Sequence, residues 1–172
     1  MTEVRDAVPA DAYQVAQVHV RSWRSAYQGL LDQDYLDGLT PQAWAVRYDF
    51  GRMGLRVPST LVAVREDTVC GFASVGLCRD DDLADLGELM ALYVDPHHLR
   101  TGTGRLLIAA ARARLAARGF SGAALWVLRD NHRARRFYER DGWHPDGTRR
   151  TGVYGGRPAE EVRYRRALGW LR

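Results

Sequence analysis

The sequence predicts one mixed α/β domain spanning residues 1–172, and three observations carry that expectation. Helical and strand-like hydrophobic periods follow one another in the order β-α-α-α-β-β-β-α-β-α-β-β. A chain of 172 residues can bury a sizeable core yet is short enough for one domain. The composition, 46% hydrophobic and 27% charged, is that of a soluble globular protein, with no repeat, linker or low-complexity tract.

Each element has a local reason. Residues 2–8 form a short strand stopped at Pro9. From Asp11 to Tyr27 the apolar residues Val15, Val18, Trp23, Ala26 and Tyr27 recur at helical spacing. The stretches YQGLLDQDYLDGL and PQAWAVRYDF continue as two short helices, with Pro41 near the first helical position of the second. STLVAVRED and TVCGFASVGLCRD are rich in β-branched and aromatic residues and form a hairpin about Glu66–Asp67. After the acidic connector DDDLAD comes the strand GELMALYVDP, stopped by Pro96.

GRLLIAAARARLAARG is the strongest helix: Leu107, Ala111 and Leu115 stack at i, i+4 and i+8, arginines take the other faces, and Gly119 closes it. AALWVLR is an apolar strand of the sheet interior. NHRARRFYERDG follows as a helix capped by Asp130 or Asn131 and ended by Gly142. The remainder is a last hairpin, with TRRTGVYGGRP lying between WHPDG and AEEVRYRRAL.

Charge and cysteines narrow the function. All 25 basic residues are arginine, which excludes lysine-based phosphate loops and Schiff-base chemistry. Before residue 100 there are 8 Arg against 15 acids; from Arg100 onward there are 17 against 6. The C-terminal half suits an anionic ligand and the N-terminal half a cationic one. Cys70 and Cys78 fall in one strand, about 26 Å apart at roughly 3.3 Å per residue, and read as buried reduced thiols. His19, His132 and His144 are spread along the chain and make no metal pattern. No apolar run reaches the ~20 residues that span a bilayer, and the mixed, acidic start is unlike a signal peptide, so a cytoplasmic location and no membrane partner are expected.

Residues 95–111, DPHHLRTGTGRLLIAAA, set Gly102 and Gly104 between a strand and a helix. Such a turn presents backbone N–H groups at the positive end of the helix dipole, where phosphate binds, and Arg100 and Arg105 add charge. A Walker loop needs lysine, and a dinucleotide loop needs a small residue where Leu107 stands.

Three spaced segments together resemble the GNAT superfamily of acyl-CoA-dependent N-acyltransferases over essentially the whole chain: GELMALYVDP, LRTGTGRLL and NHRARRFYERDGW. They are similar to that family's splayed fourth strand, its R/Q-x-x-G-x-G/A pyrophosphate loop and its Asn-x-x-Ala-x-x-Phe-Tyr-Glu segment. Where the family usually has Arg or Gln three residues before the first glycine, this chain has Leu99, with Arg100 one place later.

The resemblance implies a GNAT-like fold: a central, mostly antiparallel sheet with splayed fourth and fifth strands and helices on both faces. It implies acetyl-CoA as acyl donor, held by the backbone of Leu92, Tyr93 and Val94, by the loop Arg100, Thr101, Gly102, Thr103, Gly104 and Arg105, and by Asn131. A backbone amide of this strand, that of Leu92, would polarise the thioester carbonyl. Tyr138 would be the general acid that protonates the thiolate, with packing beside Phe137 as its alternative.

Glu88 would be the base: an unpaired carboxylate in an apolar strand, its pKa raised by burial. His97 and His98 are the runners-up. Trp23, Tyr27 and Tyr154 would wall the acceptor site for an ammonium, although Trp23 and Tyr27 at i, i+4 also suit a core. The acidic run Asp80, Asp81, Asp82 and Asp85 would attract a polycation or remain a solvated loop.

The resulting expectation is a metal-independent N-acetyltransferase that moves an acetyl group to a primary amine of a small cationic molecule by direct attack in a ternary complex. The alternatives are a peptide or protein N-acetyltransferase and a non-catalytic acyl-CoA sensor. Nucleic-acid binding has only the arginine charge behind it and is not expected. Dimers are common in the family, so a homodimer is a partner the resemblance allows.

Overall fold

The computed structural model describes residues 1–54 and 56–169. Its elements are β1 (Glu3–Asp6), α1 (Ala12–Ala26), α2 (Gln33–Asp37), α3 (Pro41–Ala45), β2 (Ser59–Arg65), β3 (Thr68–Leu77), β4 (Gly87–Val94), α4 (Thr103–Ala117), β5 (Gly122–Leu128), α5 (His132–Arg140), β6 (His144–Tyr154) and β7 (Arg157–Ala167). Their order is the expected one, with single 3-10 turns added at Pro9–Asp11, Asp81–Leu83 and Pro96–His98. No helix among the described residues is long and apolar enough to cross a membrane.

Several boundaries differ from expectation for local reasons. Asp11 belongs to the turn before α1, where its buried carboxylate accepts from Val8 N–H (2.8 Å) and the Arg5 guanidinium (2.7 and 3.0 Å). The two following helices shrink to five residues each, capped by the Asp32 carboxylate on Tyr35 N–H and the Thr40 hydroxyl on Ala43 N–H. Asn131, rather than Asp130, caps α5 by accepting from Ala134 N–H (3.2 Å). Most of the stretch 148–158 is strand, and only Gly155 and Gly156 form the last turn. Glu66 and Asp67 both take positive φ, 50° and 61°, the geometry of a tight hairpin turn that matches strand twist.

The seven strands form one sheet in the order β1-β2-β3-β4-β5-β7-β6, antiparallel throughout except for β4 beside β5. The alternation of strand side chains sends Ala63 and Ala73 to one face, where Leu107, Ile108, Ala111 and Leu115 of α4 cover them. Val62 and Phe72 point to the other face and pack against Val15 and Val18 of α1. Helices thus lie on both faces. Cys70 and Cys78 are buried and unpaired.

The acidic connector is not simply solvated. Arg163 of β7, with a side chain only 4% exposed, reaches it with bonds to Asp80 (3.1 Å) and Asp82 (2.7 and 2.8 Å). The same guanidinium also meets Asp146 (2.7 Å) and Thr148 (3.1 Å). The connector 80–82 and the β6 stretch 146–148, far apart in sequence, are pinned together at one buried cation of β7.

Candidate active site

β4 and β5 pair only at Gly87↔Ala123 and Glu88↔Ala124; beyond those residues they separate, and a cleft of about 910 Å³ opens between them. Ser74 faces Ala91 while Val75 faces Leu89, so Met90 has no partner and bulges. Asp95 N–H donates to Cys70 O (2.8 Å), which sets the alternation of the antiparallel ladder. Phe72 and Tyr93 therefore exchange bonds, while Leu92 and Val94 turn their N–H and C=O groups to the side that β5 has left. Val94 O accepts the Ser22 hydroxyl (3.0 Å). The rest of this edge is a template for an extended ligand.

At one end of the cleft lies the glycine loop. Gly102 takes φ +85° as the N-cap of α4, a left-handed conformation that suits glycine, and Arg100 also takes positive φ, 62°. Gly104 follows in the first turn of the helix, where a Cβ would sit 3.4 Å from the Phe137 ring. Arg100, Gly102, Gly104 and Arg105 line the cleft, as do Asn131 and three α5 residues not singled out by sequence, Arg133, Arg136 and Arg140. Thr101 and Thr103 do not line it: the Thr101 hydroxyl donates to His98 O (2.6 Å) and meets the Thr103 hydroxyl (2.8 Å), bracing the loop from within. Helix N-terminus, left-handed backbone and arginines combine into a strongly anion-attracting end.

At the other end α1 and the tip of the β6–β7 hairpin face each other. The Trp23 ring lies 5.1 Å from Tyr27, 6.1 Å from Tyr93 and 5.9 Å from Tyr154, and the Tyr27 and Tyr93 hydroxyls are 3.3 Å apart. Arg157 holds the hairpin tip to Asp32 before α2 (3.4 Å). Burial pushes the Tyr27, Tyr93 and Tyr154 phenols above the ordinary tyrosine value, so all are neutral donors near neutral pH.

Tyr138, on α5, packs its ring on Phe137 (5.5 Å) and Trp143 (6.4 Å). Burial pushes its phenol up as well, followed by the nearby Tyr93. It lines the cleft, and among the described residues its hydroxyl has no hydrogen-bond partner.

Glu88 differs from expectation in one decisive respect. It is buried, 2% exposed, but not unpaired: Oε1 accepts from Arg79 N–H (3.1 Å) and Nε (3.2 Å), and Oε2 from Arg79 Nη2 (2.5 Å). A carboxylate in a strand interior would be costly alone, and the arginine nine residues earlier across the β3–β4 connection meets that cost. His97 is bound by its ring nitrogen to the buried Asp95 (2.8 Å), which also holds Arg21 (2.5 Å). Although burial pushes the Asp95 carboxyl up, His97 and Arg21 hold it below its ordinary value.

Sequence reasoning missed a second buried carboxylate in the cleft, Glu161 of β7, which accepts from Tyr154 OH (3.2 Å) and Arg150 (3.2 Å). It also missed Arg79, Trp126 and Arg150, whose guanidinium lies 4.2 Å above the Trp126 ring. The strand AEEVRYRRAL has the right alternation to show that Glu161 shares a face with Arg163, but only the fold shows what that face meets. Trp23, Tyr27 and Tyr154 are brought together as expected, on the same cleft as Glu88, Tyr138 and the β4 edge.

This arrangement joins an anion-binding end to an aromatic chamber along an open strand edge, and comparisons with known proteins give it a family. A profile of the "Acetyltransferase (GNAT) family" matches residues 17–143. The chain is 34% identical over 132 residues, 76% of this chain and 74% of the relative, to an "Uncharacterized N-acetyltransferase YuaI" of Bacillus subtilis. It is 22% identical over 151 residues, 85% of this chain and 90% of the relative, to a "Spermidine N(1)-acetyltransferase" of Thermoplasma acidophilum. Its fold matches the PaiA N-acetyltransferase of Thermoplasma acidophilum in complex with coenzyme A, with a TM-score of 0.74 and 20% identity over 97% of this chain and 99% of that one. The splayed sheet, the glycine loop at the start of α4 and the profile match agree: this chain belongs to the GNAT family of N-acetyltransferases.

Proposed function

We propose that the protein transfers the acetyl group of acetyl-CoA to the primary amine of a small cationic molecule, by direct attack while both substrates are bound. The observation that carries the reading is one continuous cleft whose ends differ: arginines and a helix N-terminus at one, aromatic rings and a carboxylate at the other. Acetyl-CoA supplies the acyl group as a thioester activated for transfer to nitrogen. Its pyrophosphate fits the Gly102–Arg105 backbone, and Arg100, Arg133 and Arg136 supply charge to its phosphates. Its pantetheine arm fits the bare edge at Leu92 and Val94 as an added strand.

The Leu92 N–H, unused by β3, is the donor for the carbonyl oxygen as negative charge gathers there. Tyr138 carries its proton at every pH of interest and releases it to the departing sulfur. The amine must attack as the free base. Glu88 takes its proton through a chain of waters, at the acceptor position on Oε2 that Arg79 leaves. The spermidine-acetylating relative and the aromatic chamber both support a cationic acceptor.

The test is acetyl transfer to pooled amino acids, polyamines, aminoglycosides and short peptides, read by mass spectrometry. An acetylated aliphatic amine is the expected product. Product on peptides alone would move the acceptor to polypeptide termini, and acetyl-CoA binding without product on any amine would overturn the enzyme reading in favour of a sensor.

A further inference from the structure

The cleft contains two buried carboxylates, and the register separates them. Glu88 lies beside Ala124, where β4 and β5 are still joined. Glu161 lies opposite Leu128, four residues further along β5, about 13 Å at 3.3 Å per residue. On β4 the residue four beyond Glu88 is Leu92, whose amide faces the cleft. Counted from the last shared pair, Glu161 stands as many residues along β5 as Leu92 does along β4, and both line the cleft, while Glu88 sits where the strands meet. Burial pushes the phenol of Tyr93, next to Leu92, above its ordinary value, with the nearby Glu161 a smaller contributor.

The two carboxylates also differ in what they have left to give. Arg79 places three donors on Glu88. Among the described residues Glu161 receives only Tyr154 OH on Oε1 and Arg150 Nη2 on Oε2, so each oxygen keeps an acceptor position. Space around it is kept by Gly152 of β6, where a Cβ would fall 2.3 Å from Oε1 and 2.9 Å from the Tyr154 ring. A methyl group there would push the carboxylate aside at little cost to the backbone, because the atom displaced is the end of a flexible side chain. Trp23, Tyr27, Tyr93 and Tyr154 supply ring faces on the same chamber.

Resting on the acetyl-transfer reading above, we propose that Glu161 is the acceptor-binding residue: it seats the ammonium group of the incoming amine among these rings and selects strongly basic aliphatic amines over neutral nitrogen nucleophiles. A cation in this seat gains a charge-assisted hydrogen bond from a desolvated carboxylate together with ring quadrupoles. A hydrazide of equal length, uncharged at neutral pH, gains neither.

The test is steady-state kinetics of wild type, Glu161→Gln and Gly152→Ala, with the best aliphatic amine from the panel and a matched hydrazide. Glu161→Gln should raise KM for the amine about tenfold or more. It should leave KM for acetyl-CoA and the kcat/KM of the hydrazide within about twofold of wild type. Gly152→Ala keeps the carboxylate but moves it, and should raise the amine KM by a smaller factor; it carries the test if Glu161→Gln does not fold. An amine KM unchanged in both variants would overturn the assignment, as would equal losses for amine and hydrazide. A wild-type enzyme that acetylates no amine at all would instead overturn the acetyl-transfer reading.

Discussion

Tyr138→Phe removes a single oxygen, and the structure separates its chemical consequence from its structural one. The ring keeps its packing on Phe137 and Trp143. The hydroxyl has no intramolecular hydrogen bond to lose among the described residues, so stability should stay within about 0.5 kcal/mol of wild type. A positioned general acid contributes about 10²- to 10⁴-fold to rate, equivalent to about 2.7–5.4 kcal/mol in the barrier. Burial holds the phenol above its ordinary value, so the donor form persists across roughly pH 6–9 and the loss should be of similar size throughout. The assay is product formation at saturating acetyl-CoA and amine, with thermal melts and an acetyl-CoA titration run in parallel. A rate within about threefold of wild type would refute the acid role. A large loss matched by a comparable fall in Tm or in acetyl-CoA affinity would refute the separation argued here.

Other perturbations reach other parts of the molecule. Arg163→Met leaves Asp80 and Asp146 without their cation, each only 15% exposed, and should cost about 3–5 kcal/mol, a drop in Tm of roughly 6–20 °C; a drop below about 3 °C would mean the cluster is not structural. Gly102→Ala meets no atom within 4 Å but must hold φ +85°, at a cost of about 1–2 kcal/mol, and should raise KM for acetyl-CoA several-fold while sparing KM for the amine. His19, buried among aromatic rings, has its pKa lowered by burial, then by Arg47, to about 4. The unfolded chain takes up this proton first, near the ordinary value of about 6.5, so stability falls as pH drops from there towards 4, by up to about 3 kcal/mol. In urea melts over that range wild type should lose stability relative to His19→Phe as pH falls; parallel curves would contradict the assignment.

What could be read in the sequence was local. The α4 stripe of Leu107, Ala111 and Leu115, the turn at Glu66–Asp67 and the paired glycines all declare themselves within a few residues, and each stands where the pattern put it. The tyrosine and tryptophan chamber was legible only through family resemblance, because Tyr154 lies more than 100 positions from Trp23 and Tyr27. Pairings across the sheet were not legible. Nothing near Glu88 in sequence announces that Arg79 covers it, since that contact depends on how the chain folds back from β3 into β4. Glu161 and Tyr154 meet only because the β6–β7 register sets Gly152 against Ala159 and leaves room between them. The short helices were overestimated because Gly29 and the caps at Asp32 and Thr40 cut an apolar pattern that alone suggests longer ones.

The join between β4 and β5 is two residue pairs wide. The sheet is therefore two leaves, β1 to β4 and β5 to β7 with β6, sharing a narrow seam and diverging like an open book. A ligand that lies along the Leu92–Val94 edge fills the gap with hydrogen bonds the polypeptide does not make for itself. If the donor substrate takes that edge, as proposed, it is also a temporary strand of the sheet, and its free energy of binding adds to the free energy of folding, growing with the logarithm of its concentration. Resistance to heat and to proteolysis should rise and fall with the supply of donor, and spent coenzyme, which keeps the same arm, should protect the protein nearly as well as the acetylated form.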